Sequence, residues 1–240
     1  MTHTAAWLRS GWQMFTAKEN FWRFVLLAFI YTAVMMIAGF TGIGGFLLWG
    51  PLMAAIYLVI LHLMSTDRLD VNKLQEGFQF FVPAMLAGLL VNIFISATLF
   101  LCYGVLITFF SIFLNQIDGG TAFSFFSLLL FLITTSLSIL ITLVPTSIIT
   151  ALYLFPLLLI VDRKMSFWEA MEKSRKKVQA DLFGFFGFTL ATIGINLLGT
   201  LACGVGLLVS APVTWCAIAV AYRELWPEEK QAALSQPTEA

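Results

Sequence analysis

The sequence predicts an all-α, polytopic membrane helix bundle with six transmembrane helices and amphipathic cytoplasmic helices on its surface. Of its 240 residues, 60% are hydrophobic and 11% are charged, whereas soluble domains are about one quarter charged. A six-span threading places all thirteen Lys and Arg residues on one side of the membrane. Because cytoplasmic loops retain Lys and Arg, this side is the cytoplasm, and both termini are expected there.

The predicted spans are apolar runs separated by charged or turn-forming segments. They lie at about residues 21–40, 46–64, 82–106, 123–161, 182–199 and 206–223. About 20 apolar residues suffice to cross the hydrocarbon layer, so each run is long enough for one crossing. The spans form a single transmembrane domain over residues 1–226, and the polar residues 227–240 are expected to be a disordered cytoplasmic tail.

The first three spans are bounded by distinct polar segments. Residues 4–15 carry mainly apolar and aromatic side chains at approximately helical spacing, and this segment ends at the membrane edge. A glycine-rich turn at 42–45 joins the first two spans. The charged residues 65–77 return the chain to the third span. A polar turn at 115–120 is the one such segment on the far side.

The two middle apolar stretches, 82–114 and 121–161, are longer than one crossing requires. A seventh crossing at Pro145 would place either the basic loop at 163–177 or the N-terminus outside. Each stretch is therefore predicted to be one long or kinked span, with Pro145 and Pro156 as the kink positions in the second.

The most distinctive polar segment follows the fourth span and predicts an amphipathic helix over residues 165–179. Ser166 and Glu169 form a capping-box pattern at its start. A basic helix with aromatic anchors is typical of the surface of an anionic leaflet. The residues expected to contact lipid are Phe167, Trp168, Lys173, Arg175, Lys176 and Lys177. Phe167, Trp168, Met171 and Val178 can form one apolar face of this helix. The alternative is a solvated loop helix that packs on its own bundle.

The first and last hairpins resemble each other at a shift of 161 residues. The paired positions are Trp7 with Trp168, Phe24 with Phe185, Gly45 with Gly206, Leu47 with Leu208, Pro51 with Pro212 and Val59 with Val220. Both units begin in the cytoplasm, so the hypothesis is a parallel repeat, an arrangement found in many transporters.

The spans contain little that could perform chemistry. No Asp, Glu, Lys or Arg lies well inside them, and none of the common hydrolase, phosphate-binding or metal-binding motifs is present. The sequence therefore predicts no catalytic residues, no cofactor, no metal site and no enzymatic activity. Asn92 and Asn196 are the notable intramembrane amides, and each is expected either to hydrogen-bond a neighbouring helix or to contact a substrate.

Two segments, residues 155–178 and 199–225, resemble a broad group of uncharacterised bacterial integral membrane proteins. The group includes YciC-like proteins and the membrane domain attached to some glycerophosphodiester phosphodiesterases. The resemblance implies a six-span protein of the bacterial inner membrane, and it transfers no catalytic residue.

These observations predict a non-enzymatic inner-membrane protein that interacts with lipid, anionic lipid in particular, or with a membrane partner through its basic cytoplasmic helices. The partner is another membrane protein or a second copy of the chain, and nucleic acid is not expected. The alternative is a transporter or channel for a small neutral or apolar solute.

Overall fold

The computed structural model describes residues 3–17, 20–66, 69–118, 125–202 and 204–227, and all regular secondary structure in these segments is helical. The helices are α1 (Thr4–Thr16), α2 (Phe21–Gly39), α3 (Gly44–Thr66), α4 (Lys73–Gly77), α5 (Phe81–Asp118), α6 (Phe125–Leu152), α7 (Pro156–Arg163), α8 (Phe167–Gln179), α9 (Leu182–Leu201) and α10 (Leu207–Leu225). A 3-10 turn, Phe78–Phe80, connects α4 to α5. Residues 119–120 of the predicted polar turn and residues 228–240 of the predicted tail lie outside the described residues.

Five helical segments are long and apolar enough to cross a membrane. They are Phe21–Gly39, Gly44–Thr66, Lys73–Leu101, Phe131–Arg163 and Leu182–Leu201. The last helix, α10, is not among them, because Arg223 and Glu224 in its final turn lower its mean hydropathy. The structure therefore shows five candidate spans, and the six-span topology stays a prediction.

The two long middle stretches differ from each other. Helix α5 is continuous over 38 residues, or about 57 Å at 1.5 Å per residue, so it is longer than the span predicted at 82–106. The second stretch is two helices rather than one kinked helix, because α6 ends at Leu152 and α7 begins at Pro156. Pro156 suits the first position of a helix, where a missing N–H costs nothing.

A side chain from α8 stabilises the break between α6 and α7. The hydroxyl of Ser174 is buried, donates to the carbonyl oxygen of Leu152 over 2.8 Å and accepts from the backbone N–H of Phe155 over 3.3 Å. These bonds satisfy backbone groups that the interrupted helix leaves without partners. Pro145, in contrast, lies inside α6 and does not end it.

The chain is built from three units, each consisting of a short helix followed by a hairpin. The units are α1 with α2 and α3, α4 with α5 and α6–α7, and α8 with α9 and α10. Each short helix packs on the last helix of the preceding unit, so α4 contacts α3, α8 contacts α7 and α1 contacts α10. Gly11 lies against Ala217 and Gly77 against Ala55, with no room for a Cβ atom at either glycine. The contacts therefore close the three units into a ring.

The predicted repeat is supported by the burial pattern of the hairpins. The buried positions of α2 are Phe24, Leu27, Ala28 and Ala38, and Phe185, Phe188, Thr189 and Gly199 are buried in α9. Each residue in the first set is 161 positions before its counterpart in the second. Helix α5 repeats the start of this spacing with Ala84, Ala87 and Gly88.

The predicted match of Trp7 with Trp168 is wrong for the packing of the short helices. Trp7 is 1% exposed, whereas Trp168 is 65% exposed. The buried face of α8 instead contains Ala170, Ser174 and Val178, which correspond to Trp7, Gly11 and Phe15 at a shift of 163 residues. The connection after α8 is two residues shorter than the one after α1, which accounts for the change in register.

Candidate ligand cavity inside the bundle

A cavity of about 500 Å³ lies between the three units, within the usual size range of small-molecule sites, about 300–1,000 Å³. Every hairpin contributes to its wall. Its aromatic lining is Tyr31, Trp49, Tyr57, Tyr153 and Trp215, and its polar lining includes Thr150, Thr192, Asn196, Thr200 and Thr214. Among the described residues no charged side chain lines the cavity, so it is suited to an uncharged ligand.

The cavity is closed towards the end of the bundle that carries α1, α4 and α8, which we call the basal end. On α10 the lining stops at Ile218, and one turn further the ring of Tyr222 packs against Phe155 and Trp226 at centroid distances of 6.5 and 5.3 Å. Phe155 in turn contacts Phe185 at 5.8 Å. This layer of rings separates the cavity from the charged basal surface.

Polar bonds reinforce the basal end. The hydroxyl of Tyr222 donates to a carboxylate oxygen of Asp162 over 2.6 Å, and Arg223 lies 3.3 Å from the other oxygen of that carboxylate. The indole N–H of Trp7 donates to Glu224, which also bonds His3 over 3.0 Å. These contacts join α10 to α7 and to α1.

The opposite end, where α2 ends at Gly39 and α10 begins at Leu207, is the distal end, and the cavity reaches the bundle surface in this half. Leu197 and Thr200 on α9 line the cavity and are also exposed. Tyr31 and Trp215 pack edge to face across it at 5.2 Å, which joins α2 to α10. A ligand can therefore approach from the distal half while the basal half stays closed.

Asn196 is the most highly bonded polar group in the cavity wall. Its amide nitrogen donates to the Thr214 hydroxyl over 3.2 Å and to the Thr192 carbonyl oxygen over 3.0 Å. Its amide oxygen accepts from the Ser210 hydroxyl over 3.1 Å. Asn196 thus ties α9 to α10, which is the helix–helix role considered for it, and it lines the cavity as well.

Asn92 is placed differently. It lies on α5, its buried amide nitrogen has no hydrogen-bond partner in the described part of the chain, and it is not part of the cavity wall. The structure therefore does not bring the two predicted amides together. The residues that sequence reasoning missed are the aromatic walls, Tyr31, Trp49 and Tyr57 above all. Aromatic residues are too frequent in this chain for their positions to indicate a site before the helices are assembled.

Helix α8 has one face buried against the bundle and one exposed face, and the predicted lipid-contact residues do not all lie on the exposed face. The capping box of Ser166 and Glu169 is present, and Met171 and Val178 are buried against the bundle. Phe167 is half-buried and packs at the edge of the core, so Trp168 is the exposed aromatic of this helix.

The four predicted cations of α8 are not equivalent. Arg175 and Lys176 form ion pairs with Glu172 at 2.8 and 3.2 Å. Hydrogen bonds from Lys176 and then Arg175 lower the pKa of Glu172. Lys173 and Lys177 lie outside these pairs, so the paired acid reduces the positive charge that the helix presents.

Among the described residues, no three His, Cys, Asp or Glu side chains converge as a metal site would require. Cys216 is a buried free thiol packed in the core. Cys203 lies outside the described residues.

These findings define a class: a multi-pass, all-helical membrane protein with an uncharged cavity inside the bundle. The chain belongs to the family described as "Protein of unknown function (DUF975)", which it matches over residues 16–229. No curated protein and no solved structure matches the chain. The expectation of an uncharacterised membrane family is confirmed, and the narrower likeness to YciC-like proteins stays a prediction.

Proposed function

We propose that this protein is not an enzyme and that it binds a small uncharged molecule in its central cavity, as a transporter or channel for a neutral solute would. The observation that carries the proposal is the cavity of about 500 Å³, with aromatic walls, hydroxyl and amide groups, and no charged lining among the described residues. A charged ligand would lose its hydration there without gaining an opposite charge. A neutral ligand loses less and gains contacts with the rings.

The absence of enzymatic activity is part of the same proposal. Its support is that the described lining contains Thr and Tyr hydroxyls but no carboxylate, imidazole or thiol that could act as a base. A hydroxyl needs such a neighbour to become an effective nucleophile.

Binding can be followed through Trp49 and Trp215, because both line the cavity. We expect 1-decanol to change the tryptophan fluorescence of the purified protein at concentrations where decyltrimethylammonium and decanoate do not. Val91→Phe places a ring in the cavity and should abolish the response. Val82→Phe is the matched control, since Val82 is exposed on the same helix and does not line the cavity. Equal responses to the neutral and charged probes, or full binding by Val91→Phe, would overturn the proposal.

A second function, contact with anionic lipid, is favoured by the exposed ring of Trp168 and by Lys173 and Lys177, which lie outside the ion pairs of Glu172 on the same helix. Each cation near an anionic surface contributes about 1 kcal/mol. In nanodiscs we expect Lys173→Gln with Lys177→Gln to reduce the preference for anionic over zwitterionic lipid. Lys73→Gln, on a cation already paired with Glu76 at 2.6 Å, is the control. An unchanged preference in the double variant would rule out this role for α8.

The proposed location is the bacterial inner membrane, with α10 as the sixth crossing and both termini in the cytoplasm. The support is the one-sided distribution of Lys and Arg. In a cysteine-free background, a thiol at position 175 should be labelled from the cytoplasm and one at position 118 from the other side. The reverse result would refute the topology. A membrane-protein partner or a homo-oligomer is part of the proposal, and nucleic acid is not.

A further inference from the structure

A second cavity, of about 320 Å³, lies between α5, α6 and α9. Its described wall contains the hydroxyls of Tyr103, Ser138, Thr142, Thr146 and Ser147 among apolar side chains. Ile193 lines both this cavity and the central one, so the two adjoin. No charged side chain belongs to the described lining here either.

The hydroxyls on α6 form a row because they recur every fourth residue, at 138, 142, 146 and 150. Thr142, Thr146 and Thr150 each donate to the carbonyl oxygen one turn earlier, over 2.7, 2.7 and 2.8 Å. Their donor protons are therefore in use, and their oxygen lone pairs are free to accept. This row presents acceptors to the second cavity, and Thr150 extends it into the central one.

Ser147 supplies an observation of a different kind. It is 0% exposed, it lines the second cavity, and its hydroxyl oxygen has no hydrogen-bond partner among the residues that the structure describes. A buried hydroxyl that is left unpaired costs about 1–3 kcal/mol. Buried polar groups are normally satisfied, so this hydroxyl is available to pair with a polar group of a bound molecule.

The outer rim of the second cavity faces the outside of the bundle. Tyr103 is 57% exposed and Ile139 is 60% exposed, and both belong to helices with apolar outer surfaces. In a membrane this rim meets lipid. A molecule that enters here comes from the bilayer, carries no charge, and has a hydroxyl that can donate to the row on α6 and accept from Ser147.

We propose that the second cavity binds the glycerol head of an uncharged lipid with a free hydroxyl, a diacylglycerol, which enters from the bilayer between α5 and α6. The acyl chains stay against the exposed apolar surface of these helices. A phosphorylated head is excluded because the described lining contains no cation to offset its charge. The inference does not depend on what the central cavity binds.

The test uses the purified full-length protein with 1,2-dioctanoylglycerol, and binding is measured by native mass spectrometry and by the thermal midpoint. We expect this lipid to bind and to raise the midpoint, while dioctanoyl phosphatidic acid and trioctanoylglycerol do neither. Trioctanoylglycerol is uncharged and lacks only the free hydroxyl, so it tests the hydroxyl alone. Phosphatidic acid has a charged phosphate in place of that hydroxyl, so it tests whether a phosphorylated head is excluded.

Ser147→Ala separates recognition from folding. It should weaken dioctanoylglycerol binding about five- to tenfold, as the loss of one hydrogen bond does. The ligand-free variant should be as stable as the wild type or more stable, because it no longer buries an unpaired hydroxyl. Ser136→Ala is the matched control, since that hydroxyl is exposed on the same helix and does not line the cavity. It should bind normally.

A second variant tests entry into the cavity without changing a buried residue of α6. Ile139→Trp enlarges an exposed residue at the rim and should block entry without disturbing the core. Unchanged binding in both Ser147→Ala and Ile139→Trp would overturn the proposal, as would equal binding of the three lipids. Binding of no lipid at all would also overturn it and would leave water as the partner of Ser147.

Discussion

The first hairpin, α2 with α3, and the last hairpin, α9 with α10, have the same helix arrangement and burial pattern. They differ in the polarity of the side chains that lie between their two helices. In the last hairpin, Asn196, Ser210 and Thr214 form a hydrogen-bonded set between the two helices. The residues 161 positions earlier are Met35, Trp49 and Met53. The same helix arrangement accepts either set of residues, because a polar network and large apolar side chains can both fill the space between two helices. The central cavity is therefore polar on one side and aromatic on the other.

The same two units differ at their turns. Gly199 and Gly206 approach so closely that a Cβ on Gly206 would lie 2.6 Å from the carbonyl oxygen of Gly199. At the equivalent positions of the first hairpin, Ala38 replaces Gly199, and a Cβ on Gly45 would meet nothing nearer than Met35 at 4.0 Å. The polar hairpin is thus the more tightly closed one.

The largest expected difference between the units is at the tryptophans of their short helices. Trp7→Ala removes a buried ring that contacts Phe185 and Phe188 at 5.8 and 5.2 Å, and should destabilise the protein by about 3–5 kcal/mol. Trp168→Ala removes an exposed ring and should change stability by less than about 0.5 kcal/mol. Thermal unfolding in one detergent measures both. Equal losses would mean that α1 and α8 pack alike after all.

The turns provide the next largest contrast. Gly206→Ala should destabilise the protein by about 1–3 kcal/mol, because the added methyl group meets backbone that cannot move away. Gly45→Ala has space and should be nearly neutral. The two substitutions are identical and fall at equivalent positions, so similar thermal midpoints would contradict the close approach of Gly199 and Gly206.

Asn196→Met places the residue of the first hairpin into the last one. It should lower the free energy of unfolding by about 0.6–2 kcal/mol, which is the usual contribution of an interhelical amide hydrogen bond in a membrane. In a double-mutant cycle with Ser210→Ala, the second substitution should cost less once Asn196 is gone. Full additivity would show that the two side chains do not interact. The replacement should also weaken 1-decanol binding, because the polar wall is lost.

The smallest effect is expected from Glu172 on α8, whose counterpart at the shift of 163 residues is Arg9 on α1. Glu172→Gln should slightly lower the thermal midpoint at neutral pH by removing the pairs with Arg175 and Lys176. These pairs lower the pKa of Glu172. The stability that these pairs contribute is therefore fully present above the ordinary glutamate pKa of about 4.3. It is lost as the pH falls through the lowered pKa of Glu172 in the folded protein. The difference between wild type and variant should vanish in acid, and a difference that persists would contradict this cause.

Much of the fold could be predicted because a membrane-spanning helix requires a long apolar run, which is visible directly in the sequence. The helical class, the start of α2 and the capping of α8 follow from apolar length and local hydrogen bonding. The similarity of the first and last hairpins is visible in residues such as Pro51 and Pro212. The hydroxyl row at 138, 142, 146 and 150 also has a period that could have been noticed, although period alone does not reveal a cavity.

Other features were decided only by tertiary structure, because they depend on which helices become neighbours. The break between α6 and α7 is held by Ser174, a residue more than twenty positions away from Leu152. The exposure of Trp168 depends on a connection two residues shorter than its counterpart. The central cavity exists because side chains from all three units fail to fill the space between them. The sequence by itself determined what each segment is, through local length and polarity, whereas the packing of distant segments decided where a ligand can lie.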